Sequence, residues 1–300
     1  MLRGYGGAAL IAAIAALFLL LLPFFLLGTT PLSQHLGTWI ETRRPRVFVV
    51  AGLLLLPYLV YAIGTGTFSW VSFLKVAVYV LLPLVILLSA RRSGPPPRWQ
   101  DALAVLAVWL PLELGGLRGV WPWRDGSGAY MLSEIFGVDL AVILFVSVRN
   151  LEGVGYSFAI RRADLRVAFW NFLIFFCIAV PIGLATRFIA VGSHAPDLVR
   201  FAGRFIGIFF TIAVPEELLF RGLIQNLLQR VLPATSALLV AALIFGASHL
   251  NNRPTPDWRY VFLASIAGVL YGRAYRSSGG LMAACLVHAA VDTVWREFFR

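Results

Sequence analysis

Five stretches of this 300-residue chain, near 7–28, 46–66, 70–90, 167–188 and 203–228, are long apolar runs separated by short connections. A helix needs about 20 such residues to cross the hydrocarbon core of a bilayer, so these runs predict membrane-spanning helices. Stretches near 236–250, 260–275 and 281–298 are shorter or more polar, as expected of helices enclosed by other protein. Two more, near 102–118 and 131–148, contain Pro111 and Glu113, then Glu134 and Asp139. The expected fold is all-α, a polytopic transmembrane bundle of eight to ten spans.

Composition excludes the soluble alternative. Apolar residues make up 60% of the chain and charged ones 13%, against about 25% charged in an ordinary soluble domain. The 25 basic residues outnumber the 14 acidic ones, a balance that in a soluble protein points to nucleic acid. Here the arginines gather in connections such as ETRRPR (41–46), RRSGPPPR (91–98) and RRADLR (161–166). Positive charge in loops orients a membrane protein, so a lipid bilayer is expected as partner and nucleic acid is not. With ten spans these clusters fall in alternate connections, which predicts a cytoplasmic location for them.

The first apolar run is too long for a signal-peptide core and has no clear cleavage site after it, so it reads as a retained helix. Cys177 and Cys285 lie in apolar runs without metal or redox spacing. The connection 149–166 divides the chain into an N-terminal transmembrane extension, 1–148, and a C-terminal domain, 149–300. Ionisable residues recur at helix spacing only after it.

In VPEELLFRG (214–222) two glutamates and an arginine stand inside an apolar run. An intramembrane carboxylate is costly, and it ordinarily faces a cavity with a partner. Glu217 and Arg221 are four apart on one helix face and suit an ion pair. Glu216 is turned about 100° from Glu217, so it is less neutralised and freer to act on something else. Pro215 removes a backbone donor and favours a kink there.

Further along, IFGASHLNN carries Phe245 and His249 one turn apart, and CLVHAAVDTVW carries His288 and Asp292 at the same spacing. The second pair resembles a carboxylate orienting an imidazole. His35 and His194 fall in connections. Three spans therefore supply carboxylate and imidazole groups to one buried polar centre, which suits water activation or proton relay. Spacing alone does not separate hydrolysis from a proton-coupled transporter or a non-proteolytic scaffold.

The order PEELLFRG, FGASH, HAAVD resembles the three motifs of the CPBP (Abi) family of intramembrane proteases, named for CAAX prenyl proteases and bacteriocin-processing proteins. Its pattern is EExxxR, FxxxH, then HxxxN or a related Asx residue, and the resemblance spans roughly 149–300. It implies an intramembrane endopeptidase that cuts a membrane-anchored protein or peptide. On this resemblance Glu216 is the general base, His249 shares or positions the water, and Glu217 with Arg221 is a supporting pair. His288 and Asp292 would meet the carbonyl oxygen. Aspartate replaces the commoner asparagine at 292, and an ionised aspartate donates no hydrogen bond. No cofactor is implied. Zinc is the alternative that two histidines and carboxylates leave open, although no HExxH is present. The resemblance and the compact arginine-rich loops imply a bacterial plasma (inner) membrane location.

Overall fold

A computed structural model describes residues 6–43, 45–123, 128–192, 197–252 and 255–299. Arg44 of the ETRRPR cluster and His194 lie outside them. Among the described residues the regular structure is helical, and one isolated backbone bridge joins Val191 to Phe299.

Among the described residues, six helical segments are long and apolar enough to cross a membrane: Gly7–Leu26, Arg46–Gly64, Trp70–Ser93, Ala129–Val148, Arg162–Ala185 and Leu198–Gln229. The protein is an all-α, polytopic integral membrane protein. The other stretches that count toward eight to ten spans in the sequence are helices too. Trp99–Glu113 and Ala234–Ser248 have only 15 residues each, while Trp258–Ser278 and Leu281–Phe298 are interrupted by charged side chains. The connection after the first run also holds a helix, Thr30–Thr42, which contains His35.

The chain divides into two compact units, Met1–Glu152 and Gly153–Arg300. The first unit contains α1 (Gly7–Leu26), α2 (Thr30–Thr42), α3 (Arg46–Gly64), α4 (Trp70–Ser93), α5 (Trp99–Glu113) and α6 (Gly128–Ala141). α6 continues in wide π-helical turns over Val142–Val148. α1 packs on α3 and α6, α4 packs on α3 and α5, and α2 lies against the π-helical continuation. Tyr58 and Tyr61 of α3 are buried against Trp121, and Tyr61 stacks on Trp123 at 5.4 Å. A buried ion pair closes the unit: Arg149 reaches both oxygens of Asp101, at 2.5 and 2.9 Å, and donates to the Gly94 carbonyl at 2.8 Å. The guanidinium fork is thus matched by oxygen acceptors on several sides, as burial of a charge requires.

The second unit contains α7 (Arg162–Ala185), α8 (Leu198–Gln229), α9 (Ala234–Ser248), α10 (Trp258–Ser278) and α11 (Leu281–Phe298). Asp197 caps α8 by accepting from the amides of Val199 and Arg200. Asp257 caps α10 in the same way through Arg259. α11 lies among α7, α8 and α10, and its run of Ala283, Ala284, Cys285 and Ala289 is buried. Lipid is as apolar as these side chains, so the helices are held by close packing of small residues rather than by exclusion of water. At the α9–α10 crossing, a Cβ on Gly268 would sit 2.9 Å from the Cα of Ala242; only glycine allows that approach.

The connection 153–161 is non-helical and braces the turn between α10 and α11. The Gly155 carbonyl accepts from the Leu281 amide at 3.1 Å, and Arg161 donates to the Ser278 carbonyl at 2.6 Å. Gly155 has φ +71, and a Cβ there would lie 2.7 Å from Gly280, so both its conformation and its surroundings call for glycine.

Candidate active site

Glu216 and Glu217 sit in a four-residue α-helical interval of α8, Val214–Glu217, between π-helical segments Phe209–Ala213 and Leu218–Gln225. Pro215 lies at the start of that interval and has no N–H to give to the helix ladder. π turns are rare and gather at functional sites. Here they bracket the segment that carries both glutamates.

Glu217 is wholly buried and Arg221 is 1% exposed. Arg221 Nε lies 3.1 Å from Glu217 Oε2, outside hydrogen-bond alignment, so this contact is mainly Coulombic. The guanidinium is further held by the Gly268 carbonyl at 3.2 Å and by the Phe245 ring, 4.5 Å below its carbon. The second oxygen of Glu217 faces another helix: His288 Nδ1 of α11 lies 2.8 Å from Glu217 Oε1. A carboxylate only accepts, so this contact places a proton on Nδ1 and leaves Nε2 for the other groups.

His288 Nε2 points between two carboxylates, with Glu216 Oε2 and Asp292 Oδ1 each 3.9 Å away. These two side chains are the partly exposed members of the cluster, at 30% and 21%. Arg296 approaches Asp292 at 3.8 Å from one turn further along α11. Tyr271 of α10 stacks on the His288 ring at 4.7 Å and 18°, and Phe245 meets its edge at 5.9 Å. The imidazole is therefore confined by a hydrogen bond at one nitrogen and by rings on two sides.

His249 ends α9 as its C-cap residue. Its Nδ1 lies 2.8 Å from the Phe245 carbonyl, which makes Nδ1 the donor and Nε2 the acceptor. The ring rests 4.7 Å from Phe245 and 5.0 Å from Tyr260. Phe245 thus touches His249, His288 and Arg221 and holds the three in a fixed relation.

A cleft of about 700 Å³, its open mouth included, leads to this centre. His249, His288 and Asp292 form its polar part, and Phe172, Phe175 and Phe176 of α7 contribute an aromatic wall. Among the described residues, no group of three or more His, Cys, Asp or Glu side chains is arranged to hold a metal ion.

The structure brings together Glu216, Glu217, Arg221, His288 and Asp292, and it links His249 to them through Phe245 and the shared cleft. One relation differs from the spacing argument. The hydrogen bond that orients His288 comes from Glu217, 71 positions away, whereas Asp292 one turn along stands off at 3.9 Å. Tyr271, Tyr260 and the Gly268 carbonyl are contacts that motif spacing did not reveal. The aromatic wall had a legible signal in Phe172, Phe175, Phe176 and Ala179, which recur at the spacing of one helix face.

Residues 199–294 match the family of type II CAAX prenyl endopeptidase Rce1-like proteins. No curated protein and no solved structure matches the chain. The CAAX-protease match covers about a third of the chain. It holds all seven candidate side chains, from Glu216 to Asp292, and leaves the first unit outside.

Proposed function

We propose that this protein is an intramembrane endopeptidase that hydrolyses a peptide bond in a membrane-anchored or lipid-associated substrate. The observation that carries the reading is the asymmetry of the two adjacent glutamates. Glu217 is buried and committed to Arg221 and His288, while Glu216 is partly exposed beside His288 Nε2.

In this mechanism Glu216 takes a proton from a water molecule as the water oxygen bonds to the scissile carbonyl carbon. The carbonyl electron pair moves onto oxygen, where a proton on His288 Nε2 supplies a hydrogen bond to the developing charge. Collapse of the tetrahedral intermediate breaks the carbon–nitrogen bond, and Glu216 returns its proton to the departing amine. His249 presents Nε2 as an acceptor that positions the water. Asp292 stabilises positive charge on His288, a role open to an ionised aspartate. The aromatic cleft receives the apolar, membrane-embedded part of the substrate. The arginine-rich connections support a cytoplasmic side for those loops, and the location proposed with this reading is a bacterial plasma membrane.

The test is cleavage of membrane-anchored peptides in detergent by the purified protein and by Glu216→Gln, each with and without EDTA. Cleavage by the parent protein that persists in EDTA and disappears in the variant is the expected result. Full cleavage by Glu216→Gln would remove Glu216 as the base.

A further inference from the structure

The first unit carries an open cleft of its own, where α2, the α2–α3 turn, the start of α3 and the end of α4 meet. It spans about 1090 Å³ including its mouth. Ile40, Val47, Phe48 and Leu88 give it apolar walls, and Glu41, Arg91 and Arg92 give it a charged rim. A cleft with one apolar side and one cationic side suits an amphiphile better than a purely polar ligand.

Its surroundings place it at the edge of the membrane. The apolar body of α4 ends at Arg91 and Arg92, and α3 begins at Arg46. Trp39 of α2 is 41% exposed and carries the Arg46 guanidinium 4.7 Å from its ring centre. Tryptophan and arginine at helix ends characterise the membrane–water interface. Phe48, 56% exposed, continues the apolar side of the cleft onto the surface of α3.

Charge then selects the headgroup. Arg91 and Arg92 line the cleft, with Glu41 as the acidic member of the lining, and Arg46 adds a further positive charge where it rests on Trp39. Glu41 is already engaged, since one of its oxygens accepts from Arg91 Nη2 at 2.5 Å and from Asn150 Nδ2 at 2.7 Å. The corner therefore has surplus positive charge. A zwitterionic headgroup would bring its own cation into that field, whereas an anionic one brings only the phosphate that guanidinium binds in bidentate fashion.

We infer that this cleft binds the headgroup of an anionic phospholipid, with Arg91 and Arg92 on the phosphate and Phe48 and Leu88 against the start of an acyl chain. The site is independent of the proposed hydrolytic centre, and its test needs no substrate.

The full chain in detergent is titrated with phosphatidylglycerol or with phosphatidylcholine of the same acyl chains, and bound lipid is counted by native mass spectrometry. Phosphatidylglycerol should be retained preferentially. An arginine beside an anionic headgroup is worth roughly fivefold in affinity, so Arg92→Ala should weaken retention by about that factor. Arg91→Ala combined with Arg92→Ala should weaken it on the order of 25-fold by the same reckoning. Arg162→Ala, an exposed arginine of the second unit, should leave it unchanged. If loss of the Arg91–Glu41 contact unfolds the double variant, Arg92→Ala alone decides, with helix content followed by circular dichroism. Equal retention of the two lipids, or unchanged retention in Arg92→Ala, overturns the proposal. Displacement of the lipid by an equal concentration of inorganic phosphate would also overturn it, by reducing the site to one for simple anions.

Discussion

Glu217 on α8 fixes the ring of His288 on α11 through a 2.8 Å contact between two side chains that are almost wholly buried. The same carboxylate faces Arg221 with its other oxygen. One residue thereby sets both the charge balance of the centre and the nitrogen that His288 presents to Glu216 and Asp292.

Removing that carboxylate should cost stability. Glu217→Ala leaves Arg221 as a buried charge without its partner, a change worth about 3–5 kcal/mol. Thermal unfolding in detergent should register the loss. Replacing both members of the pair with apolar residues of similar size, Glu217→Leu with Arg221→Met, should recover much of the stability. Cleavage should stay low, because His288 still lacks its hydrogen-bond acceptor. Recovered cleavage in the double variant would separate the pair from the chemistry.

Glu216→Gln should behave in the opposite way. The side chain is partly exposed and keeps its shape, so stability should change by about 0.5 kcal/mol or less. Cleavage should fall by about 10²–10⁴-fold, the usual contribution of a general base. Comparing unfolding and turnover in one preparation distinguishes this from a folding defect.

At position 292 the sign of the charge is the issue. Asp292→Asn removes the charge but keeps the shape and adds an N–H donor, and it should retain cleavage within about tenfold of the parent protein. Asp292→Ala removes both and leaves the His288 donor without its counter-charge, so it should lose about 10²–10³-fold, as when one oxyanion donor is disabled. Equal rates in all three proteins would show that residue 292 takes no part in turnover.

Gly268→Val tests packing rather than chemistry. The added side chain meets Ala242 at the α9–α10 crossing, and overpacking of this kind costs about 1–3 kcal/mol. The shift also moves the carbonyl that receives Arg221. A lower unfolding temperature together with reduced cleavage is expected, while Gly203→Ala, with open space around its Cβ position, should have little effect.

In the first unit, Arg149→Ala should leave Asp101 buried without its guanidinium partner and should cost about 3–5 kcal/mol. Limited proteolysis around the Gly94 connection, whose carbonyl Arg149 also holds, gives a local readout. Unchanged proteolysis would mean that the pair does not anchor that loop.

Much of this protein is legible in its sequence. Apolar run length and the scarcity of charge determined a polytopic helical membrane protein, because an uncharged helix of that length has few other stable places to be. Four-residue spacing determined the Glu217–Arg221 and His249–Phe245 relations, since residues one turn apart on a helix are neighbours. Hydropathy was less decisive for α9, which has only 15 residues, and for α10 and α11, whose apolar runs charged side chains interrupt; α11 is largely buried, whereas Leu239 and Leu243 keep one face of α9 exposed.

Contacts between distant positions belonged to the tertiary structure alone. Asp292 is four residues from His288 and Glu217 is 71 away, yet it is Glu217 that reaches Nδ1. The stacking of Tyr271 on His288 and the reach of Arg221 to the Gly268 carbonyl likewise join separate helices. Periodicity specifies which side chains share a face, but not how one helix is rotated against the next. That rotation is decided where α8, α9, α10 and α11 pack through small residues, and it determines which carboxylate is buried in an ion pair and which keeps a partly exposed side chain.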